Sequence, residues 1–141
     1  MTFEKFHFMQ ILNIATVCFV NESQELLVVR KKNTSFWMLP GGKLDHQETP
    51  AEGVIREVWE ELQITLEAQN LAQLGTFDAL AANEADTSVH AHAFLAKLPG
   101  KQKPRISAEI AEMRWLPLNR PFPISIAPLL RNHIIPALQG L

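Results

Sequence analysis

Strand-like and helix-like segments interleave along this chain of 141 residues, which predicts an α/β or α+β domain around a mixed β-sheet. Two further observations narrow the class. At 15.9 kDa the chain suits a single domain over residues 1–141, because two halves would each be too small to close a core. Its composition, 47% hydrophobic and 20% charged, is that of a globular protein rather than a disordered, collagen-like or coiled-coil chain.

The elements follow in order. Residues 10–20 are rich in β-branched and apolar types and read as a buried strand. Asn21-Glu22-Ser23-Gln24 reads as a turn, with Glu25–Arg30 as the returning strand of a hairpin. A polar loop over Lys31–Phe36 precedes Trp37-Met38-Leu39, which runs into Pro40-Gly41-Gly42. A helix is predicted over about 50–62, because Thr49 can cap it, Pro50 suits the first turn and Glu52 completes a capping box. Further strands are expected near 66–78, 88–97 and 112–117. A closing helix is expected over about 126–138, with Pro128 in its first turn and Pro136 bending or ending it.

Composition also excludes some functions. Thirteen basic and fifteen acidic residues give a formal charge of −2, too balanced for stable, general nucleic-acid binding. The one cysteine, Cys18, rules out an internal disulfide and suits a reducing compartment. No apolar run reaches the roughly 18 residues of a membrane helix, and the first residues lack a secretory layout. A cytoplasmic location with no membrane association is the resulting expectation.

The charge is unevenly placed. Between Gly42 and Leu62 six acids (Asp45, Glu48, Glu52, Glu57, Glu60, Glu61) face two bases (Lys43, Arg56). On a helical wheel Ala51, Ile55, Val58, Trp59 and Leu62 form an apolar arc, expected to face the core. Glu57, Glu60 and Glu61 fall on roughly the opposite side, around Gly53, which leaves room for close approach. Carboxylates at i, i+3 and i+4 without lysine partners suit a hard divalent cation such as Mg²⁺ or Mn²⁺. A solvated acidic face is the alternative that the helix alone leaves open.

The spacing adds a resemblance. Gly42, five residues, Glu48, seven residues, then Arg56-Glu57-Val58-Trp59-Glu60-Glu61-Leu62-Gln63-Ile64 resembles the 23-residue Nudix box, G-x5-E-x7-R-E-U-x-E-E-x-G-U. Eight of its nine specified positions match, and Leu39-Pro40-Gly41-Gly42-Lys43 is similar to the family's entry into the box. Gln63 replaces the last glycine, at a helix end where positive φ is common, so either a strain of about 1 kcal/mol or a turn of another shape is expected there. The resemblance implies an α/β fold, an α/β/α sandwich around a mixed sheet. It implies hydrolysis of a nucleoside diphosphate linked to another moiety, with Mg²⁺ or Mn²⁺ as cofactor. Glu60 and Glu61 would be metal ligands, Glu57 a ligand or the base for the attacking water, and the Gly42 carbonyl a further ligand. Arg56 would pair with a carboxylate and orient the ligands, and with Glu48 would hold loop, helix and loop together. A homodimer is a family-level expectation.

Other residues are weaker candidates. Arg30 and Lys31, with Lys32 behind them, are placed to touch substrate phosphates, against a generic basic strand end. Glu84 is the first choice for a metal-ligating acid outside the box and Asp86 the second, with Glu109 and Glu112 also possible; plain loop residues are the alternative. His90 and His92 share one strand face with Phe94, where structural or substrate contacts outweigh metal binding. Trp37 and Phe36 read as core before base pocket, and Cys18 as an inert buried thiol. Phe3, Phe6 and Phe8 suit an edge-strand cover or a dimer contact.

Absences guide the substrate. No proline lies in Ala79–Ala82, where many ADP-ribose hydrolases of the family carry one, and the chain has no tyrosine to mark a dinucleoside polyphosphate hydrolase. The short chain is similar to the mutator-type, or MutT-like, triphosphate pyrophosphohydrolases. Those read an oxidised guanine through an asparagine after a Phe-Pro pair, whereas Phe122-Pro123 is followed here by Ile124-Ser125-Ile126-Ala127, leaving Asn119 and Ser125 as nearby polar residues. A nucleotide pyrophosphohydrolase releasing a monophosphate is expected, with a non-nucleotide diphosphate hydrolase or a ligand-binding domain without turnover as alternatives.

Overall fold

The computed structural model describes residues 9–141, so Phe3, Phe6 and Phe8 lie outside the described residues. Two sheets carry the fold. Strands β1 (Gln10–Phe19), β3 (Gly41–Lys43), β4 (Ala72–Leu80) and β5 (Thr87–Ala96) form a sheet in the order β3-β1-β5-β4. It is mixed, because β1 and β5 run parallel while β1–β3 and β4–β5 are antiparallel. Strands β2 (Glu25–Lys31) and β6 (Ile110–Pro117) form a separate antiparallel pair.

Two apolar cores lie on either side of this framework. Helix α1 (Pro50–Leu62) lays Val54, Val58 and Leu62 against Ala15, Val17 and Phe19 of β1 and Leu27 and Val29 of β2. On the other face the C-terminal helical segment packs Leu130, Ile134 and Leu138 against Cys18, Val28, Ala91 and Leu116. This is the expected α/β/α arrangement. Cys18 is fully buried, and burial pushes its thiol pKa up to about 12.

Four local expectations need correction. The turn at Asn21–Gln24 forms, with the Asn21 carboxamide oxygen accepting from the Ser23 and Glu25 N–H groups. The strand after it does not return along β1, however; a single bridge, Val20 to Leu26, links the two. Both edges of β1 are taken by β3 and β5, and Leu26, Leu27, Val28 and Val29 are buried on both faces of β2, which crosses to pair with β6. The strand expected near 66–78 begins only at Ala72, after a 3₁₀ turn at Ala68–Asn70.

The third correction concerns one of the two alternatives for Pro136, since it does not end the last helix. A π-helical turn over Leu130–Ile134 runs directly into α2 (Ile135–Gln139). Its wider turn relieves the clash between a proline ring and the carbonyl four residues earlier. The fourth concerns α1, whose buried arc is rotated by roughly 60° from the expected one. Trp59 is therefore half exposed, whereas Glu61 is buried beside Val54 and Val58.

Candidate active site

The site begins at the N-terminus of α1. Thr49 Oγ1 accepts from the Glu52 N–H and the Glu52 carboxylate accepts from the Thr49 N–H, the reciprocal cap that the sequence predicts. With its start fixed, the helix holds Arg56, Glu57, Glu60 and Glu61 at set angles.

Arg56 ties the helix to the loop before it. Its Nε and Nη2 donate to the two oxygens of Glu48 at 2.8 and 2.9 Å, and Nη2 also donates to the Lys43 carbonyl at 3.1 Å. These hydrogen bonds hold the Glu48 carboxyl down at about 2. From the same guanidinium Nη1 reaches Glu57 Oε1 at 3.0 Å and Glu60 Oε1 at 3.5 Å. Gly53 fits beneath this loop because a Cβ there would meet the Leu44 side chain and Glu48 Oε1.

Two glycines bring the loop onto the carboxylates. Gly41 has φ +139°, and a Cβ on it would strike the Ala15 carbonyl and the Thr16 backbone. A Cβ on Gly42 would lie 2.6 Å from the Glu57 carboxyl carbon. Glu57 therefore rests directly against bare backbone, half-buried, and burial raises its pKa against the opposing effect of Arg56.

Glu61 is the buried member of the group, 1% exposed. Its Oε1 accepts from the Gly41 N–H at 2.9 Å, while Oε2 has no hydrogen-bond partner among the described residues. Burial pushes its pKa up to about 8 despite that bond. Among the described residues no three Asp, Glu, His or Cys side chains already converge as a metal cage. Arg56 instead holds Glu57 and Glu60, while Glu61 is anchored on Gly41.

A cavity of about 250 Å³ shares the Gly41–Gly42 wall. Leu12, Ile14 and Thr16 of β1 line it, as do Met38, Leu80 and Leu130. Lys31 and Glu84 both reach it, so the structure brings these two sequence candidates to one place. Arg30 is not among its lining residues: its guanidinium is paired with Glu112 and donates to the Thr34 carbonyl at 2.8 Å. Glu109 in turn lies 3.1 Å from Lys31 Nζ. His90 bonds Asp78 at 2.7 Å, and His92 borders a different groove beside Thr49–Ala51. Trp37 is core, with the Arg114 guanidinium above its ring. Asn119 lines a separate groove with Arg120 and Phe122. Sequence reasoning missed Thr16 and Met38 as cavity residues; the hydroxyl in the alternation Leu12, Ile14, Thr16, Cys18 was the available signal.

Gln63 closes α1 with φ 57° and ψ 32°, the left-handed conformation expected of the position. Its side chain compensates, since Nε2 donates to the Trp59 carbonyl at 2.9 Å. The strain and this bond are each worth about 1 kcal/mol. Gln63→Ala, which keeps the strain and loses the bond, is therefore expected to cost about 1 kcal/mol in urea unfolding. Gln63→Gly should stay within about 1 kcal/mol of wild type, because it loses both.

An α/β/α fold whose loop–helix–loop gathers Glu48, Glu57 and Glu60 under one arginine defines a class, and comparison with known proteins agrees: a NUDIX domain model matches residues 11–137, and the chain belongs to the Nudix hydrolase family, the pyrophosphohydrolases of class EC 3.6.1. Within the family it is MutT-like. It is 29% identical over 120 residues to a Bacillus subtilis (strain 168) protein named "Putative 8-oxo-dGTP diphosphatase", across 85% of this chain and 75% of that protein. The crystal structure of a MutT NUDIX hydrolase from Burkholderia pseudomallei superposes with a TM-score of 0.70 at 26% identity, over 94% of this chain and 98% of that one. A MutT protein from Methanosarcina mazei Go1 gives 0.64 at 28% identity, over 78% and 79% of the two chains. Among the described residues no helix is long and apolar enough to cross a membrane.

Proposed function

We propose that this protein is a nucleotide pyrophosphohydrolase that cleaves a ribo- or deoxyribonucleoside triphosphate to the monophosphate and pyrophosphate, with Mg²⁺ or Mn²⁺ as cofactor. The observation that carries this reading is Glu61, a buried carboxylate with one oxygen bonded to Gly41 and the other unpartnered. A buried charge without a partner is costly, and a divalent cation at that oxygen removes the cost. The bare Gly42 backbone against Glu57 fits the same group.

Glu57, Glu60, Glu61 and the Gly42 carbonyl would hold the cation, and Glu84 is the acid outside the box that lines the cavity on the other side of the Gly41–Gly42 wall. When bound, the cation supplies the positive charge that screens the polyphosphate and acidifies the attacking water. The chain's own groups do the rest. Arg56 fixes Glu57 through Oε1, which leaves Oε2 to take a proton from water. Lys31, on the cavity wall, would turn its ammonium from Glu109, 3.1 Å away, to the phosphates. The apolar cavity, of about 250 Å³, takes the base.

A substrate panel tests the reading. Ribo- and deoxyribonucleoside triphosphates, 8-oxo-dGTP, dinucleoside polyphosphates, a nucleoside diphosphate sugar and a prenyl diphosphate are incubated with Mg²⁺ or Mn²⁺, and products are resolved by chromatography. Monophosphate and pyrophosphate from the triphosphates are the expected result. Turnover confined to the prenyl diphosphate, or no turnover of any member, overturns it.

A further inference from the structure

We infer that Asn83 is a specificity-determining residue, whose side-chain amide reads the hydrogen-bonding edge of the substrate's base. The inference rests on the nucleotide reading above and extends it to one residue of this chain. The cavity beside Gly41–Gly42 is mostly apolar, so a side chain that discriminates between bases is one of its few polar ones. Lys31, Lys43 and Glu84 are charged and suit phosphates or cations. That leaves Thr16, Thr34 and Asn83.

Two of the three are spent or shut away. Thr34 Oγ1 already donates its one proton to the Lys31 carbonyl at 2.8 Å, which leaves it an acceptor alone. Thr16 Oγ1 is buried and unpartnered among the described residues, and its strand neighbours, Gly41 in β3 and Ala93 in β5, carry no polar side chain to answer it. Asn83 is exposed and lines the cavity, and among the described residues its Nδ2 has only the Met38 thioether as partner, at 3.8 Å. Sulfur is a weak acceptor, so a base nitrogen or oxygen displaces it at little cost. The carboxamide then presents one donor and one acceptor side by side, the pattern by which an amide pairs with a heterocycle edge.

The backbone around Asn83 is fixed well enough to hold such a contact. It sits in the connection from β4 to β5, where the Ala81 N–H donates to the Thr87 carbonyl at 2.9 Å and Thr87 Oγ1 to the Ala85 carbonyl at 2.8 Å. The Gln10 N–H reaches the Asp86 carbonyl at 3.0 Å, tying the same turn to β1. Asn119, which the sequence offers as the nearest asparagine to the Phe122-Pro123 pair, lines another groove. The amide at the cavity thus comes from a different loop.

The experiment measures kcat and KM for nucleoside triphosphates carrying each common base and 8-oxoguanine, in wild type, Asn83→Ala and Asn83→Asp. Thermal unfolding of each variant confirms that the exposed substitution leaves the fold intact. Asn83→Ala is expected to compress the kcat/KM ratio between the best and worst base by about ten- to a hundredfold, the worth of a bidentate amide–base pair. Asn83→Asp replaces the donor by a second acceptor and should move preference toward bases presenting two adjacent donors, a change of rank that a merely structural role would not produce. An unchanged ranking in both variants, or a wild type that treats all bases alike, overturns the role of Asn83 alone. No turnover of any nucleoside triphosphate by wild type overturns the nucleotide reading, and this inference with it.

Discussion

Glu57→Gln and Glu60→Gln are each expected to lower kcat by about two to four orders of magnitude while leaving the unfolding midpoint close to that of wild type. Glutamine keeps the size of the side chain and removes its charge, so it cannot take a proton from water and is a poor ligand for a hard cation. The fold is insulated from both changes. Glu60 is half exposed, and the packing of α1 rests on Val54, Val58 and Leu62. Arg56 keeps its bidentate partner, Glu48, whichever of the two is altered.

Gly42→Ala provides a companion test that changes no charge. The backbone of Gly42 is not in the left-handed region, so alanine is tolerated there, but its Cβ would displace the Glu57 carboxylate, now 2.6 Å from that point. A fall in kcat comparable with that of Glu57→Gln, in a protein that still folds, is expected. Equal steady-state rates in wild type and the two glutamine variants would remove these carboxylates from the chemistry.

How far the sequence foretells this arrangement depends on whether the deciding interaction is local. The cap at Thr49–Glu52 and the left-handed end at Gln63 are set by groups within a few residues, and both are legible. The pairing of β2 is decided by partners far along the chain: β5 occupies the β1 edge that a hairpin would need, and β6 supplies the alternative. Strand β3 is three residues long and contains two glycines, so it carries no side-chain alternation to read. In α1, polarity placed Glu61 outside and Trp59 inside. The structure reverses both, because Glu61 Oε1 finds the Gly41 N–H within the fold. Periodicity ranks residues by hydrophobicity, and a carboxylate buried against a backbone donor far along the chain is where such a ranking fails.

That reversal has a measurable consequence: the metal-free protein should lose stability as pH rises from about 4.5 to about 8, and Mn²⁺ or Mg²⁺ should restore it. Burial is the main cause that pushes the Glu61 pKa up to about 8, from an ordinary value of 4.5. Below 4.5 folded and unfolded chains both carry the proton, and folding gains or loses nothing from this group. Between the two values the unfolded chain ionises freely, whereas the folded chain must keep its proton, so stability falls with pH through this window and levels off above it. The gap between 4.5 and 8, at about 1.4 kcal/mol per pH unit, sets a ceiling of about 5 kcal/mol on the loss. A divalent cation favours the ionised form and reverses the sign, so the metal-induced rise in Tm should be larger at pH 8 than at pH 5. Glu61→Gln, which cannot ionise and still offers an oxygen to the Gly41 N–H, should flatten the slope. Urea unfolding in chelator and in metal, at both pH values, reads all four corners of the comparison. A metal-free wild type as stable at pH 8 as at pH 5, with a Glu61→Gln variant of the same profile, would show that this carboxylate ionises without penalty and has no need of a cation.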